Sequence, residues 1–164
     1  MKLIKFFFSK SLKITNILAT MITIKELKET TIDALDGINN LLPQLSSSAQ
    51  NISIERLSEL VLSDNSIIFL GFDESGQILG MLSLIIVKIP TGNKAWIEDV
   101  VVDQNARGKG LGKSLMNHAL EDAKKRGVKS IDLTSRPSRE SANMLYQNLG
   151  YEIRQTNVYR YKLS

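Results

Sequence analysis

Apolar and polar residues alternate with a period of two over residues 22–27, which predicts a first strand. The period then lengthens. Ile32, Leu35, Ile38, Leu41 and Leu42 fall near helical spacing and predict a helix ended by Pro43. A polar loop, SSSAQN, leads to Ser53, whose hydroxyl suits the cap of a second helix carrying Ile54, Leu57, Leu60 and Val61. The runs SIIFLGF and QILGMLSLIIVKI read as strands around DESG, a hairpin turn with Gly76 free to take positive φ. After TGN, the run KAWIEDVVVD predicts a fourth strand. It is apolar on both faces from Val100 to Val102, the pattern of a strand inside a sheet. A long helix follows with Leu111, Leu115, Ala119, Leu120 and Ala123 inward and Gly127 at its stop. KSIDLTS predicts a fifth strand, and a helix begins near Ser138 and stops at Gly150. YEIRQ and VYRYKL predict two last strands. The order β-α-α-β-β-β-α-β-α-β-β, without repeats or linkers, is that of one mixed α/β domain.

Composition narrows the chemistry. The 164 residues include no cysteine, which removes disulfides, thiolate metal sites and cysteine nucleophiles. His118 is the single histidine, so a Ser-His-Asp triad or a multi-histidine metal site is hard to build, and no metal is expected. It falls off the inward stripe of its helix and is expected at the surface. The net charge of +4 is unevenly spread: residues 1–20 carry four lysines and no acid, whereas residues 21–99 hold 5 basic and 11 acidic side chains. Residues 100–164 hold 12 basic and 6 acidic ones, a polarity suited to a polyanionic ligand. The absence of an aromatic-basic stripe argues against nucleic acid. Lysines interrupt the apolar run of residues 1–20 too often for a membrane helix. This segment is set apart as an extension before the domain of residues 21–164. An upstream start ahead of Met21 is favoured over an organelle presequence, because arginine is absent. A cytoplasmic location is the expectation.

The turn NARGKGLGKSL sits between the fourth strand and the long helix. Its GKS resembles the end of a P-loop, but that motif needs glycine where Arg107 stands. The dinucleotide fingerprint also fails, since its third glycine would fall at Lys113 or Leu115. What remains is a strand, a turn with glycines at 108, 110 and 112, and a helix whose positive dipole end faces the turn. Such a turn can hold phosphate on backbone amides.

VVVDQNARGKGLGKSLMNHAL is similar to the acetyl-CoA-binding signature of the GNAT superfamily of N-acetyltransferases, Arg/Gln-x-x-Gly-x-Gly/Ala. Arg107, Gly110 and Gly112 stand at its fixed positions. SANMLYQNLGY resembles the family's later segment, Asn-x-x-(aromatic)-Tyr-x-x-x-Gly-Phe/Tyr, with Leu145 at the aromatic or aliphatic place. The resemblance covers about residues 21–164. It implies a central mixed, mostly antiparallel twisted sheet of about seven strands flanked by four helices.

The resemblance also implies transfer of acetyl from acetyl-CoA to a primary amine by direct attack in a ternary complex. Val100 and Val102 would lend backbone groups to the acetyl and pantetheine part. The amides of Arg107, Gly108, Lys109, Gly110, Gly112 and Lys113 would cradle the diphosphate, and Asn143 would bond the pantetheine arm. Tyr146 matches the tyrosine near the sulfur and would act as the acid. An ammonium acceptor needs a base. Glu98 is chosen for that part, because simple alternation puts it on one face with Trp96 and Val100 and turns Asp99 the other way. IEDVVV also resembles glucosamine-6-phosphate N-acetyltransferases. Arg136 and Arg139 are candidates for an anionic acceptor or the adenosine 3′-phosphate. A small-molecule amine is the expected acceptor. A protein N-terminus or lysine, and a non-catalytic cofactor-binding sensor, are the competing readings. Dimers joined through the last strands occur in the family, so a homodimer is a further state in view.

Overall fold

The computed structural model describes residues 22–163, so the basic extension of residues 1–20 lies outside them. The elements are β1 (Thr23–Glu26), α1 (Ile32–Leu45), α2 (Ile54–Val61), β2 (Ser66–Phe72), β3 (Ile78–Ile89), β4 (Gly92–Val102), α3 (Leu111–Lys125), β5 (Ile131–Leu133) and α4 (Glu140–Asn148). A short 3-10 turn, Gln104–Ala106, stands between β4 and α3. The four expected helices are present. The strands form one sheet in the order β1-β2-β3-β4-β5, antiparallel except for the parallel β4–β5 pair.

Two apolar layers cover the sheet. On one face α3 places Leu111, Leu115, Met116, Ala119 and Ala123 against Phe69, Leu82, Leu84, Ala95 and Ile97. Burying each of these leucines is worth about 1.5–3 kcal/mol, so this layer anchors the turn at the head of α3. On the other face, Ala34, Ile38 and Leu41 of α1 and Leu57 of α2 pack on Ile68, Leu70, Met81 and Val101. Thr31 and Ser53 cap α1 and α2 by accepting the amides of Ala34 and Arg56.

Three expectations need correction. The sheet has five strands among the described residues, not about seven: residues 151–163 join no ladder, and Ile153, Tyr159, Tyr161 and Leu163 stand exposed. Alternation in YEIRQ and VYRYKL encodes a possible strand face, but a strand needs a partner edge, and β5 spans only three residues. Pro43 does not end α1, which continues to Leu45. The amide of Ser46 still bonds the Leu42 carbonyl, and the Gln44 side chain is tied down on both sides. His118 is half-buried rather than at the surface, its ring edge-on to Phe69 with centroids 4.9 Å apart.

Candidate active site

Beyond Ile97, β4 has no partner on its β5 side among the described residues, because the parallel pairing ends at Ile97 and Leu133. β4 nevertheless runs on to Val102, leaving a gap beside its last turn of strand. Val101 pairs with Met81, and the Asp103 amide bonds the Leu79 carbonyl, so both residues spend their backbone groups on β3. Val102, between them, turns its backbone groups the other way, toward the gap. Its carbonyl is already taken there by Arg107 Nε at 3.1 Å. That bond uses one of the carbonyl's two lone pairs, so the amide and the second lone pair of Val102 still face the gap. Through this side-chain bond Arg107 also locks the start of the glycine turn.

The register between β3 and β4 shifts within Met81–Ser83, where Leu82 faces both Asp99 and Val100. This is a β-bulge, and Asp99 takes φ of 52° to make it. The bulge reverses the alternation of faces. Ala95 and Ile97 pack under α3, as do Val100 and Val102 beyond the bulge, whereas Val101 joins the α1 layer. Glu98 and Val100 consequently lie on opposite faces, correcting the shared face expected for them. Glu98 is exposed. Asp99 is exposed as well, yet enough protein stands beside its carboxylate that desolvation raises its pKa above the usual aspartate value.

At the head of α3, Gly110 takes φ of 85° and Gly108 takes 77°. A Cβ built on either would meet nothing within 4 Å, so open space stands over the turn. Gly110 precedes α3 without a side-chain cap, leaving the first amides of the helix unsatisfied by any side chain there. Lys109 is exposed and Lys113 is on the first turn. Gly112 is close-packed, since a Cβ there would stand 3.3 Å from Leu145 and 3.7 Å from Val102. An anion matches this set of free amides, helix dipole and basic side chains.

The other wall comes from α4 and the loop before it. Asn143 donates Nδ2 to the carbonyls of Arg136 (2.9 Å) and Pro137 (3.4 Å), so it holds the loop. Arg139 donates to the Leu45 carbonyl at 2.8 Å. The Tyr146 hydroxyl forms no hydrogen bond among the described residues. Desolvation raises its pKa, and the Arg139 charge opposes that rise in part. The Tyr151 ring meets Tyr146 edge-on at 6.1 Å, and burial, then Tyr146, push its hydroxyl up to about 12.

A groove of about 1120 Å³ runs along β5 past Trp96, Asn143, Tyr146 and Tyr151. Two buried hydroxyls, Ser135 Oγ and Tyr151 OH, lack partners among the described residues. A buried orphan hydroxyl is costly unless a ligand or water meets it. Ser135 was not singled out by its sequence, and Tyr151 entered only as a motif position. The open glycine turn and the orphan hydroxyls fit a long ligand with an anionic end and a polar arm, as acetyl-CoA has.

The profile of the acetyltransferase (GNAT) family matches residues 36–151. The chain belongs to that family. A glucosamine 6-phosphate N-acetyltransferase of Trypanosoma brucei brucei is 39% identical over 80 residues, covering 47% of this chain and 52% of that protein. An aminoglycoside acetyltransferase from an uncultured soil metagenomic sample shares the fold with a TM-score of 0.78 at 20% identity, over 87% of this chain and 97% of that one. An aminoglycoside N-acetyltransferase in complex with CoA superposes with a TM-score of 0.74 at 17% identity, over 87% and 95% of the two chains. The chain spans 25–71% of the lengths of the curated relatives it matches. Its fold is that of the acetyltransferase (GNAT) family. No helix among the described residues is long and apolar enough to cross a membrane.

Proposed function

We propose that this GNAT protein moves acetyl from acetyl-CoA to the primary amine of a small molecule by direct attack in a ternary complex. The observation that carries this reading is the end of the β4–β5 pairing at Ile97 and Leu133, beyond which β4 runs on to Val102 and a glycine turn where a Cβ on Gly108 or Gly110 would meet nothing within 4 Å. The amides of Arg107, Gly108, Lys109, Gly110, Gly112 and Lys113 would hold the diphosphate, with the Arg107 side chain stiffening the turn. The Val102 amide and the Val100 backbone would meet the pantetheine arm, with Ser135 Oγ and Tyr151 OH as further partners. Asn143 would act mainly by holding the loop wall. When bound, acetyl-CoA supplies a thioester whose acetyl passes to nitrogen as sulfur leaves.

Asp99, rather than Glu98, is proposed to take the proton from the acceptor ammonium. Its raised pKa makes it a better proton acceptor than an ordinary aspartate. The Tyr146 hydroxyl would give its proton to the departing sulfur and regain one from the nitrogen as the amide forms, and its raised pKa keeps the proton in place at neutral pH before that. A small amine is supported by relatives named for glucosamine 6-phosphate and aminoglycosides. Thiol release from acetyl-CoA across a panel of amino sugars, polyamines and peptides tests the assignment. Turnover confined to peptides would move the acceptor to protein. CoA binding without turnover on any amine would make the chain a sensor module.

Tyr146→Phe is expected to lower kcat at least about tenfold while the Kd for CoA stays at the parental value. Single-turnover kinetics beside CoA calorimetry check this. Equal kcat in variant and parent removes Tyr146 from the acid role.

A further inference from the structure

The last turn of α1 lies outside every motif discussed above, yet it is tied to both walls of the gap. Gln44 sits one residue past Pro43, where the helix lacks a proline amide. Its Nε2 donates to the Asp103 carboxylate at 2.9 Å and to the Asn40 carbonyl at 3.2 Å. Its Oε1 accepts the Gln104 amide at 2.8 Å. One side chain thus grips two successive residues at the exit of β4.

Asp103 passes that grip onward. Its other carboxylate oxygen accepts the Asn105 amide at 2.9 Å, and its carbonyl accepts the Ala106 amide at 2.9 Å. These bonds shape the 3-10 turn that delivers the chain to Arg107 and the glycines. The Gln44 bond is also the main reason the Asp103 carboxyl lies below the usual aspartate range. On the opposite wall, Arg139 reaches the Leu45 carbonyl, the next residue of the same helical turn.

We propose that Gln44 is a positioning residue for acetyl-CoA binding, fixing the approach to the diphosphate turn from the end of α1 through Asp103 and Gln104. This rests on the cofactor reading given above. Free backbone amides bind an anion well only when they are already oriented, because ordering them on binding subtracts from affinity. Gln44 does that ordering without touching the ligand. The same turn, through Arg139, keeps the loop before α4 at a set distance across the gap.

The test uses polarity. Gln44→Glu sets a second carboxylate against Asp103 and removes the donor. The Kd for CoA, measured by calorimetry on the full chain, is expected to rise about tenfold. Adding Asp103→Asn restores a donor–acceptor pair with its direction reversed, while the Asn105 and Gln104 amides keep their acceptors. The double variant is expected to bind CoA within about threefold of the parent. The KM for acetyl-CoA should follow the Kd, with kcat unchanged.

Parental affinity in Gln44→Glu, or an equal loss in the single and double variants, overturns the proposal. Should Gln44→Glu fail to fold, Gln44→Met keeps the length without the polar atoms, and parental CoA affinity in that variant overturns it equally. A parent chain that binds no CoA overturns the cofactor reading together with this one. Parental binding with unaffected variants overturns the positioning role alone.

Discussion

Replacing Asp99 with asparagine is expected to make the protein slower and slightly more stable at once. The carboxylate sits on a bulge where desolvation raises its pKa, and it has no ion pair or hydrogen bond among the described residues. As the proposed base it must be ionised, so kcat/KM should climb with pH through that raised pKa. Asp99→Asn removes the base and should lower kcat/KM about 100-fold at neutral pH, flattening that acidic limb. Glu98→Gln should leave the limb where it is. The reverse result, a shifted limb in Glu98→Gln and none in Asp99→Asn, would return the base to Glu98.

Stability carries the opposite sign. A carboxyl whose folded pKa is raised binds its proton more tightly in the native state than in the unfolded one. Its charge therefore disfavours folding above the raised value and ceases to do so as pH falls through the ordinary aspartate range. Asparagine removes that cost and also tolerates positive φ well. A gain in Tm of roughly 1–2 °C at neutral pH is expected, small because the group keeps solvent contact, and it should shrink in acid. A drop in Tm would mean that the carboxylate holds the bulge together.

The parts of this molecule that were legible in its sequence are those governed by local chemistry. Leu111, Leu115, Ala119 and Ala123 announce the inner stripe of α3 by spacing alone, and Gly110 announces its head. The bulge was not legible. Asp99 adopts its positive φ because β4 must pass one extra residue opposite Leu82, a fact of pairing between strands that neither strand reveals by itself. That one residue sets Glu98 and Val100 on opposite faces, and the proposal of Asp99 as base follows from it. The last strands failed for a related reason, since alternation from Tyr151 onward describes a face and not a partner. Gln44 was hidden behind Pro43, whose usual meaning as a helix end is overridden by tertiary bonds to Asp103 and Gln104. Ser135 carries no local signal at all, and only its burial without a partner draws notice.

Gly110→Ala is expected to weaken CoA binding about 30-fold, and the hairpin between β2 and β3 supplies its control. Gly76 there takes φ of 84°, against 85° for Gly110, and a Cβ on either meets nothing within 4 Å. Alanine at each position therefore suffers the same left-handed strain, about 1–2 kcal/mol, and should lower Tm by roughly 3–6 °C. Only Gly110 directly precedes the amides that begin α3, where the diphosphate is proposed to lie, so only there would the added methyl stand beside the ligand. Backbone contact with a phosphate demands close approach, and one methyl is enough to hold it off. Gly76→Ala should bind CoA as the parent does, despite an equal fall in Tm. Similar CoA affinities in the two variants would mean that Gly110 serves the turn and not the ligand. An affinity loss at Gly110 alone, with kcat preserved at saturating acetyl-CoA, would place the diphosphate on this turn independently of any family likeness.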